Sequence, residues 1–225
     1  MLGNPRIQRY LVAALSGAAM AFSMPGWGLW WLAWLAVAPL FAVVAASGRA
    51  REAFFLAWTH AFVFFLVSTQ WLTHTLTVYG SIPLPLSYLL YSALAAVLAA
   101  FAGFACASLR WLPRAPAWAS GLSAGLVWVA WEYFRTVHFN GFPWNLIGYS
   151  QHPNLAVLQA VEFTGIYGMS FLVVAVGAAL GRGWWEWRSG RGWRPGAAAL
   201  AAPLALVAAA WGFGHWRLAN LARPA

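Results

Sequence analysis

Long apolar runs recur along this chain, separated by short polar segments or by segments that contain Pro and Gly. A helix needs about 20 apolar residues to cross a bilayer, and seven runs approach or exceed this length. They cover residues 7–23, 27–46, 53–79, 86–109, 118–136, 166–180 and 197–216. Because lipid-exposed backbone must satisfy its own hydrogen bonds, the pattern predicts an all-α integral membrane protein of about seven spans. All 225 residues then form one membrane domain.

The first run follows Arg6 and Arg9 and ends at Met24-Pro25-Gly26, an arrangement that a secretory signal peptide shares. The six runs after it favour an uncleaved anchor instead. With the N-terminus in the cytoplasm, the inside segments hold ten arginines and the outside segments three, Arg135, Arg217 and Arg223. Since positive charge concentrates on the cytoplasmic side, we expect a cytoplasmic N-terminus and a non-cytoplasmic C-terminus.

The segment 137–165 lies between the fifth and sixth runs, on the same outside face as the C-terminus. Its first part, His138 to Gln151, is rich in Asn, Gly and aromatic residues, and it is either a plain connector or the part that meets a substrate. Its second part, residues 155–163, predicts a short interfacial or re-entrant helix. Irregular backbone at membrane depth is tolerated only where protein or a water-filled cavity covers it.

Composition excludes several kinds of chemistry. The formal charge is +9, but the arginines lie in short loops between apolar runs and form no continuous basic face, so we predict no nucleic-acid partner. The chain has no Lys and no Asp, so it contains neither a catalytic lysine nor a Ser-His-Asp triad. Its single cysteine, Cys106, is predicted to be a buried packing residue, which excludes an internal disulfide and a cysteine metal cluster.

Two histidines, His60 and His74, are predicted to share one helix face. They stand about 21 Å apart along its axis and cannot bind one ion, although each can serve a separate haem. Polar helix packing is the simpler interpretation. We therefore predict no metal and no cofactor.

Three ionisable residues are candidates for function. Glu132 and Arg135 stand at i,i+3 near the end of the fifth run, where they can form an ion pair. The pair is either structural or the mark of a substrate path, since ionisable groups at membrane depth usually face a cavity. Glu162 is the third, alone in its stretch.

The loop itself combines special backbone residues with aromatic and polar side chains. Gly141 and Gly148 permit unusual backbone angles and Pro143 fixes one. Phe142 and Trp144 flank that proline. This combination suits the binding of a lipid, with acyl chains against the aromatic rings and a phosphate near Arg135.

Four separated elements also carry a resemblance to a known family. They are Glu132-x-x-Arg135, Gly-Phe-Pro-Trp at 141–144, Gly-Tyr-Ser-Gln at 148–151, and Gly-x-Tyr-Gly-x-Ser-Phe at 165–171. Their order and spacing resemble the membrane domain of bacterial apolipoprotein N-acyltransferase. The resemblance covers nearly the whole chain.

The resemblance implies a multi-pass protein of the bacterial inner membrane, in an enzyme that moves an acyl chain from phospholipid to the α-amine of diacylglyceryl-cysteine on lipoproteins. It implies no cofactor. It places catalysis in a Glu-Lys-Cys set of a nitrilase-like domain that follows the membrane spans. Substrate binding is then expected at Arg135, Phe142, Trp144, Tyr149, Gln151 and Glu162, with Gly141, Pro143 and Gly148 shaping the loop.

This sequence departs from the family pattern, because it reaches Ala225 where the nitrilase-like domain is expected to begin and contains no lysine. The chain alone is therefore expected to be inactive, with its partner domain supplied in cis in a full-length enzyme. Two other functions stay open. One is a non-catalytic membrane scaffold or lipid-binding partner, and the other is a small transporter or haem-binding protein.

Overall fold

The computed structural model describes residues 4–113, 115–138 and 141–221, which form ten α-helices and no strand. Arg114 and Arg223 from the arginine count, and Phe139 and Asn140 from the loop, lie outside these ranges. The helices are α1 (Pro5–Phe22), α2 (Ala33–Ala36), α3 (Ala38–Ala46), α4 (Ala50–Ser68), α5 (Trp71–His74), α6 (Leu84–Ser108), α7 (Ala117–Val137), α8 (Leu155–Leu158), α9 (Val161–Arg188) and α10 (Arg194–Leu221).

Within the described ranges, four helices are long and apolar enough to cross a membrane: α4, α6, α9 and α10. The all-α membrane class is thus confirmed. The full count of seven spans and the cytoplasmic N-terminus stay predictions.

The second and third predicted spans are interrupted, although the sequence pattern indicates continuous helices. The second is a 3₁₀ turn at Trp30–Leu32 followed by α2 and α3. In the third, α4 stops at Ser68, and α5 and a π-helical turn at Thr75–Tyr79 follow. The hydroxyls of Ser68 and Thr69 donate to the carbonyls of residues four positions earlier, at 2.7 Å each. Such bonds compete with the backbone ladder and favour a break.

The predicted interfacial helix at 155–163 is also wrong in extent. Only α8 forms there as a separate turn, and Val161 already begins α9. Gly165 interrupts α9 with φ 60° and ψ −172°, a conformation that glycine adopts without steric cost. The helix then runs to Arg188, two turns past the predicted end, and the i,i+4 pair of Arg182 and Glu186 supports this extension.

The packing forms two connected groups of helices. In one, α4 lies between α1 and α6; in the other, α9 contacts α3, α7 and α10. The core is rich in alanine, and glycines allow close approach, as where Gly17 meets the backbone of His60 and Gly181 meets the carbonyl of Ala38. Small residues at such contacts are typical of membrane helix packing.

The two ends of the bundle differ in what they carry. The C-terminal ends of α4 and α7 meet the segment 141–151, and we call this the loop end. The N-terminal end of α4 and the C-terminal end of α6 form the opposite end, where Arg9 pairs with Glu52 and Arg110 bonds Ser47. These charged contacts therefore lie away from the loop.

Candidate functional site

The last turns of α7 hold two buried ionisable groups. Glu132 is 6% exposed and Arg135 is 4% exposed. One Glu132 carboxyl oxygen, Oε1, accepts from the backbone N–H of Ile147 at 3.0 Å and from the Trp128 indole at 3.2 Å. Arg135 donates to the carbonyl of Trp144 at 3.3 Å. Both groups therefore bind the backbone of the loop that follows α7.

The ion pair that the i,i+3 spacing predicts is not present. Arg135 instead lies 5.2 Å above the ring of Phe65 on α4, in a cation–π contact. The second oxygen of Glu132, Oε2, is buried without a hydrogen-bond partner among the described residues. Glu132 binds a backbone N–H of the loop and Arg135 binds a backbone carbonyl of the loop, so the two side chains do not bind each other.

The start of the loop is a tight reversal at the end of α7. Gly141 has φ 68°, and its N–H donates to the carbonyl of His138 at 3.1 Å. A Cβ at this position would lie 2.6 Å from the carbonyl oxygen of Thr136. The next residue, Phe142, donates its N–H back to the Arg135 carbonyl at 3.5 Å. Only glycine satisfies both the angle and the space, so its predicted shaping role has a physical basis.

The middle of the loop is joined to α4 and α9. Asn145 adopts φ 54° and its side-chain amide donates to the Ser68 hydroxyl at 2.7 Å. Gly148 donates its N–H to the Ser170 hydroxyl at 2.8 Å, and a Cβ there would lie 2.5 Å from the carbonyl of Ile166. Together with the α7 contacts, these bonds fix the loop to three helices.

Gln151, which ends the loop, is fully buried. Its carbonyl oxygen accepts from the Trp34 indole at 3.0 Å. Its amide donates to the carbonyl of Trp30 at 3.1 Å and to the Ser150 hydroxyl at 3.0 Å. The side chain holds the loop against the broken second span and is oriented toward protein, whereas Tyr149 is half-buried against the core.

The exposed part of the loop is aromatic. Trp144 is 49% exposed, and its ring lies 5.3 Å from that of Phe142 and 4.9 Å from that of Trp71, both nearly edge-to-face. We call Trp71, Phe142 and Trp144 the aromatic cluster. It combines a large apolar surface with a backbone held by the buried Arg135.

Glu162, the remaining candidate, lies apart from the aromatic cluster. It stands in the first turn of α9 and pairs with Arg217 on α10 at 3.2 Å, with its side chain about half exposed. The pair ties α10 to the kinked start of α9. The structure brings Arg135, Phe142, Trp144, Gly141 and Gly148 together at the loop end, but shows no contact of Glu162 with them.

A small cavity of about 30 Å³ lies beneath the loop. Glu132, Arg135 and Asn145 line it from the loop side and His60 from α4. This volume holds one or two water molecules. It is too small for an acyl chain.

The other chemistry-bearing residues have structural surroundings. His60 is buried with its Nδ1 2.9 Å from the Ser16 hydroxyl. His74 stands on α5 and not on the helix of His60, so the predicted shared face does not exist. Cys106 is buried in α6. Within the described ranges, no three His, Cys or Glu side chains are grouped to hold a metal ion.

Sequence reasoning misses the residues that receive the loop. Ser68 and Ser170 bind it, Trp34 binds Gln151, and Trp71 packs on Trp144. By sequence alone, Trp34 and Trp71 are typical of interfacial belts. A serine in an apolar helix weakly indicates such a contact, because its hydroxyl needs a hydrogen-bond partner where no water is available.

Comparison with known proteins shows a family match over most of the chain. Residues 16–179 match the family described as the apolipoprotein N-acyltransferase N-terminal domain. An apolipoprotein N-acyltransferase of Geobacter metallireducens is 36% identical over 177 residues, which cover 77% of this chain and 33% of the relative.

Two further relatives agree. An apolipoprotein N-acyltransferase of Bordetella bronchiseptica is 31% identical over 230 residues, covering 95% of this chain and 42% of the relative. That of Azotobacter vinelandii is 36% identical over 173 residues, covering 76% of this chain and 33% of the relative. The chain thus spans between 33% and 42% of the length of these relatives.

Proposed function

This chain belongs to the apolipoprotein N-acyltransferase family, and from that premise we propose that it is the membrane domain that anchors the enzyme and admits its lipid substrates. The substrates are a phospholipid acyl donor and a lipoprotein that begins with diacylglyceryl-cysteine. A nitrilase-like domain with the Glu-Lys-Cys set, joined in cis, performs the transfer to the amine. The location is the bacterial inner membrane, with the loop end on the non-cytoplasmic side.

The observation that carries this proposal is the exposed aromatic cluster on a loop fixed by buried hydrogen bonds. An aromatic surface at the end of a membrane bundle contacts acyl chains favourably, and Trp is enriched at the level of the lipid headgroups. Because Glu132, Asn145 and Gln151 hold the loop, the cluster keeps its place. Rigid positioning of a substrate raises rate without any chemical role for the positioning residue.

The other residues have supporting roles in this proposal. Arg135 positions the backbone of Trp144 and brings positive charge beneath the aromatic cluster, near the phosphate of an arriving lipid. Tyr149 and Gln151 shape the part of the loop that packs on the core and on the second span. Glu162 pairs with Arg217 and so fixes α10 against the start of α9, which supports the site from outside the aromatic cluster.

Two tryptophans of equal exposure provide the test. Trp144 and Trp27 are each 49% exposed, but Trp27 packs edge-to-face on Phe22 of α1 and not within the aromatic cluster. In a full-length enzyme that carries this domain, Trp144→Ala is expected to lower the rate of acyl transfer at least about tenfold, as misplacement of a substrate does. Trp27→Ala is expected to change it less than about twofold. Equal rates for the two variants would make the loop a connector only.

The second candidate is a non-catalytic scaffold or lipid-binding partner, which the absence of lysine from the chain favours. Both candidates predict that the 225-residue chain alone transfers no acyl group from phospholipid to a diacylglyceryl peptide. Joining the chain to the catalytic domain of the Geobacter metallireducens relative separates them. Restored transfer that depends on Trp144 supports the membrane-domain role, and inactivity of the well-folded fusion supports the scaffold.

A further inference from the structure

A large cavity lies at the opposite end of the bundle, far from the aromatic cluster. It has a volume of about 700 Å³ and lies between α3, α6, α7 and α9. Pockets for small ligands have volumes of about 300–1,000 Å³. Helix α7 contributes Ser120 to this cavity and Arg135 to the loop end, roughly 22 Å apart along the helix axis. The cavity is therefore a separate site.

A buried carboxyl group lines this cavity. Glu186 is 4% exposed, and its Oε1 accepts from Nε of Arg182 at 3.0 Å. Its second oxygen, Oε2, is buried and has no hydrogen-bond partner in the part of the chain that the structure describes. A buried acceptor without a donor is costly, and native proteins almost always supply one. A ligand that donates a hydrogen bond at this point removes the cost.

Three arginines line the same cavity as the carboxyl group. Arg110 is held by the carbonyl of Val44 and by the Ser47 hydroxyl, the latter at 2.9 Å. Arg191 donates its backbone N–H to the carbonyl of Glu186 at 3.0 Å and places its guanidinium 4.6 Å above the Trp185 ring. The positive charges of Arg110, Arg182 and Arg191 exceed the single negative charge of Glu186, so the cavity lining has a net positive charge.

Burial lowers the pKa of Arg110 from its ordinary value. An anion bound beside its guanidinium would oppose that shift, because a nearby negative charge favours the protonated form. The cavity thus offers guanidinium donors for an anion and, at Glu186, an acceptor for a cationic N–H. A ligand that carries only one of these groups leaves the other half of the site unsatisfied.

We propose that this cavity binds a phosphate ester that carries a protonated amine, as an aminophospholipid headgroup or free phosphoethanolamine does. The phosphate oxygens accept from Arg110, Arg182 and Arg191. The ammonium donates to Oε2 of Glu186. The site lies at the end of the bundle away from the proposed acyl-transfer entrance, so it does not depend on that function.

Binding of three water-soluble probes to the purified protein in detergent tests the proposal. Phosphoethanolamine offers phosphate and N–H, phosphocholine offers phosphate without N–H, and inorganic phosphate offers the anion alone. Phosphoethanolamine is expected to bind at least about tenfold tighter than phosphocholine, the difference that a hydrogen bond to a charged group makes. Equal binding of these two probes would overturn the proposal.

The Glu186→Gln variant tests the role of the carboxyl group. It is expected to abolish the preference for phosphoethanolamine while leaving phosphocholine binding nearly unchanged. Glu52→Gln is the matched control, since it alters an Arg-paired carboxyl group at the same end but outside the cavity, and it should keep the preference. A preference that survives in Glu186→Gln would contradict the assignment.

A second variant covers the case in which Glu186→Gln does not fold. Arg191→Gln is expected to weaken binding of all three probes several-fold, and unchanged binding would exclude the arginines as the anion site. Reconstitution then identifies the source of the ligand. If the protein in phosphatidylethanolamine nanodiscs no longer binds soluble phosphoethanolamine, but the protein in phosphatidylcholine nanodiscs does, the ligand is a lipid headgroup. Equal binding in both kinds of nanodisc indicates the soluble ester.

Discussion

Glu132 accepts a hydrogen bond from the backbone N–H of Ile147 at 3.0 Å and thereby fastens the end of α7 to the loop that follows it. The same oxygen accepts from the Trp128 indole one helical turn earlier. One buried carboxyl group therefore sets the distance between the helix and the loop.

The Glu132→Ala variant is expected to destabilise the protein by about 1–3 kcal/mol, because two buried donors lose their acceptor. Glu132→Gln keeps a carbonyl oxygen at this position and should lose less. The thermal unfolding midpoint of the protein in detergent measures both changes. Glu162→Ala serves as control, since its exposed pair with Arg217 is worth under about 1 kcal/mol. Equal midpoints for Glu132→Ala and Glu162→Ala would show that the Ile147 contact does not hold the loop.

The helical membrane class was predictable because it depends on one property, the length of apolar runs. The break in the third span was not, since Ser68 and Thr69 look like ordinary polar residues within an apolar run. Apolar periodicity records burial, and it does not record whether a hydroxyl donates to its own helix. Helix boundaries therefore shifted where side chains competed for backbone groups.

The unusual backbone of the loop was predictable, but the contacts of its side chains were not. Gly141 and Gly148 indicate a special backbone, and the structure shows the close contacts that require them. Spacing alone makes Glu132 and Arg135 a pair. Their actual partners, Ile147 and Trp144, are loop backbone groups that follow them by 15 and 9 residues, outside the helix that a helical wheel represents.

The Gly141→Ala variant tests the reversal at the end of α7. We expect a loss of about 1–3 kcal/mol, from the left-handed backbone angle together with the contact between the new Cβ and the carbonyl of Thr136. Gly190→Ala is the control, because Gly190 has φ 78° but an added Cβ would meet no atom within 4 Å, so it reports the backbone angle alone. Gly141→Ala should lower the unfolding midpoint more than Gly190→Ala. The reverse order would mean that the reversal relaxes without cost.

The bond between Asn145 and Ser68 permits a double-mutant cycle. Asn145→Gly keeps the positive φ that the loop needs and removes only the amide, while Ser68→Ala removes the acceptor hydroxyl. The two changes should be coupled by about 0.5–1.5 kcal/mol, the value of one intramolecular hydrogen bond. Unfolding midpoints of the parent, both single variants and the double variant give the coupling. Simple additivity would show that the two side chains do not stabilise each other.

Gln151 and Trp144 distinguish an anchor from a substrate contact. Gln151→Leu keeps a similar volume but removes the acceptor of the Trp34 indole and one hydrogen bond each from the Trp30 carbonyl and the Ser150 hydroxyl. It should cost about 1–3 kcal/mol and lower the unfolding midpoint. Trp144→Ala removes a half-exposed ring and should leave the midpoint nearly unchanged while it slows acyl transfer in a full-length enzyme. If Gln151→Leu instead kept full stability and lost activity, Gln151 would itself contact substrate, and the loop would have to open to expose it.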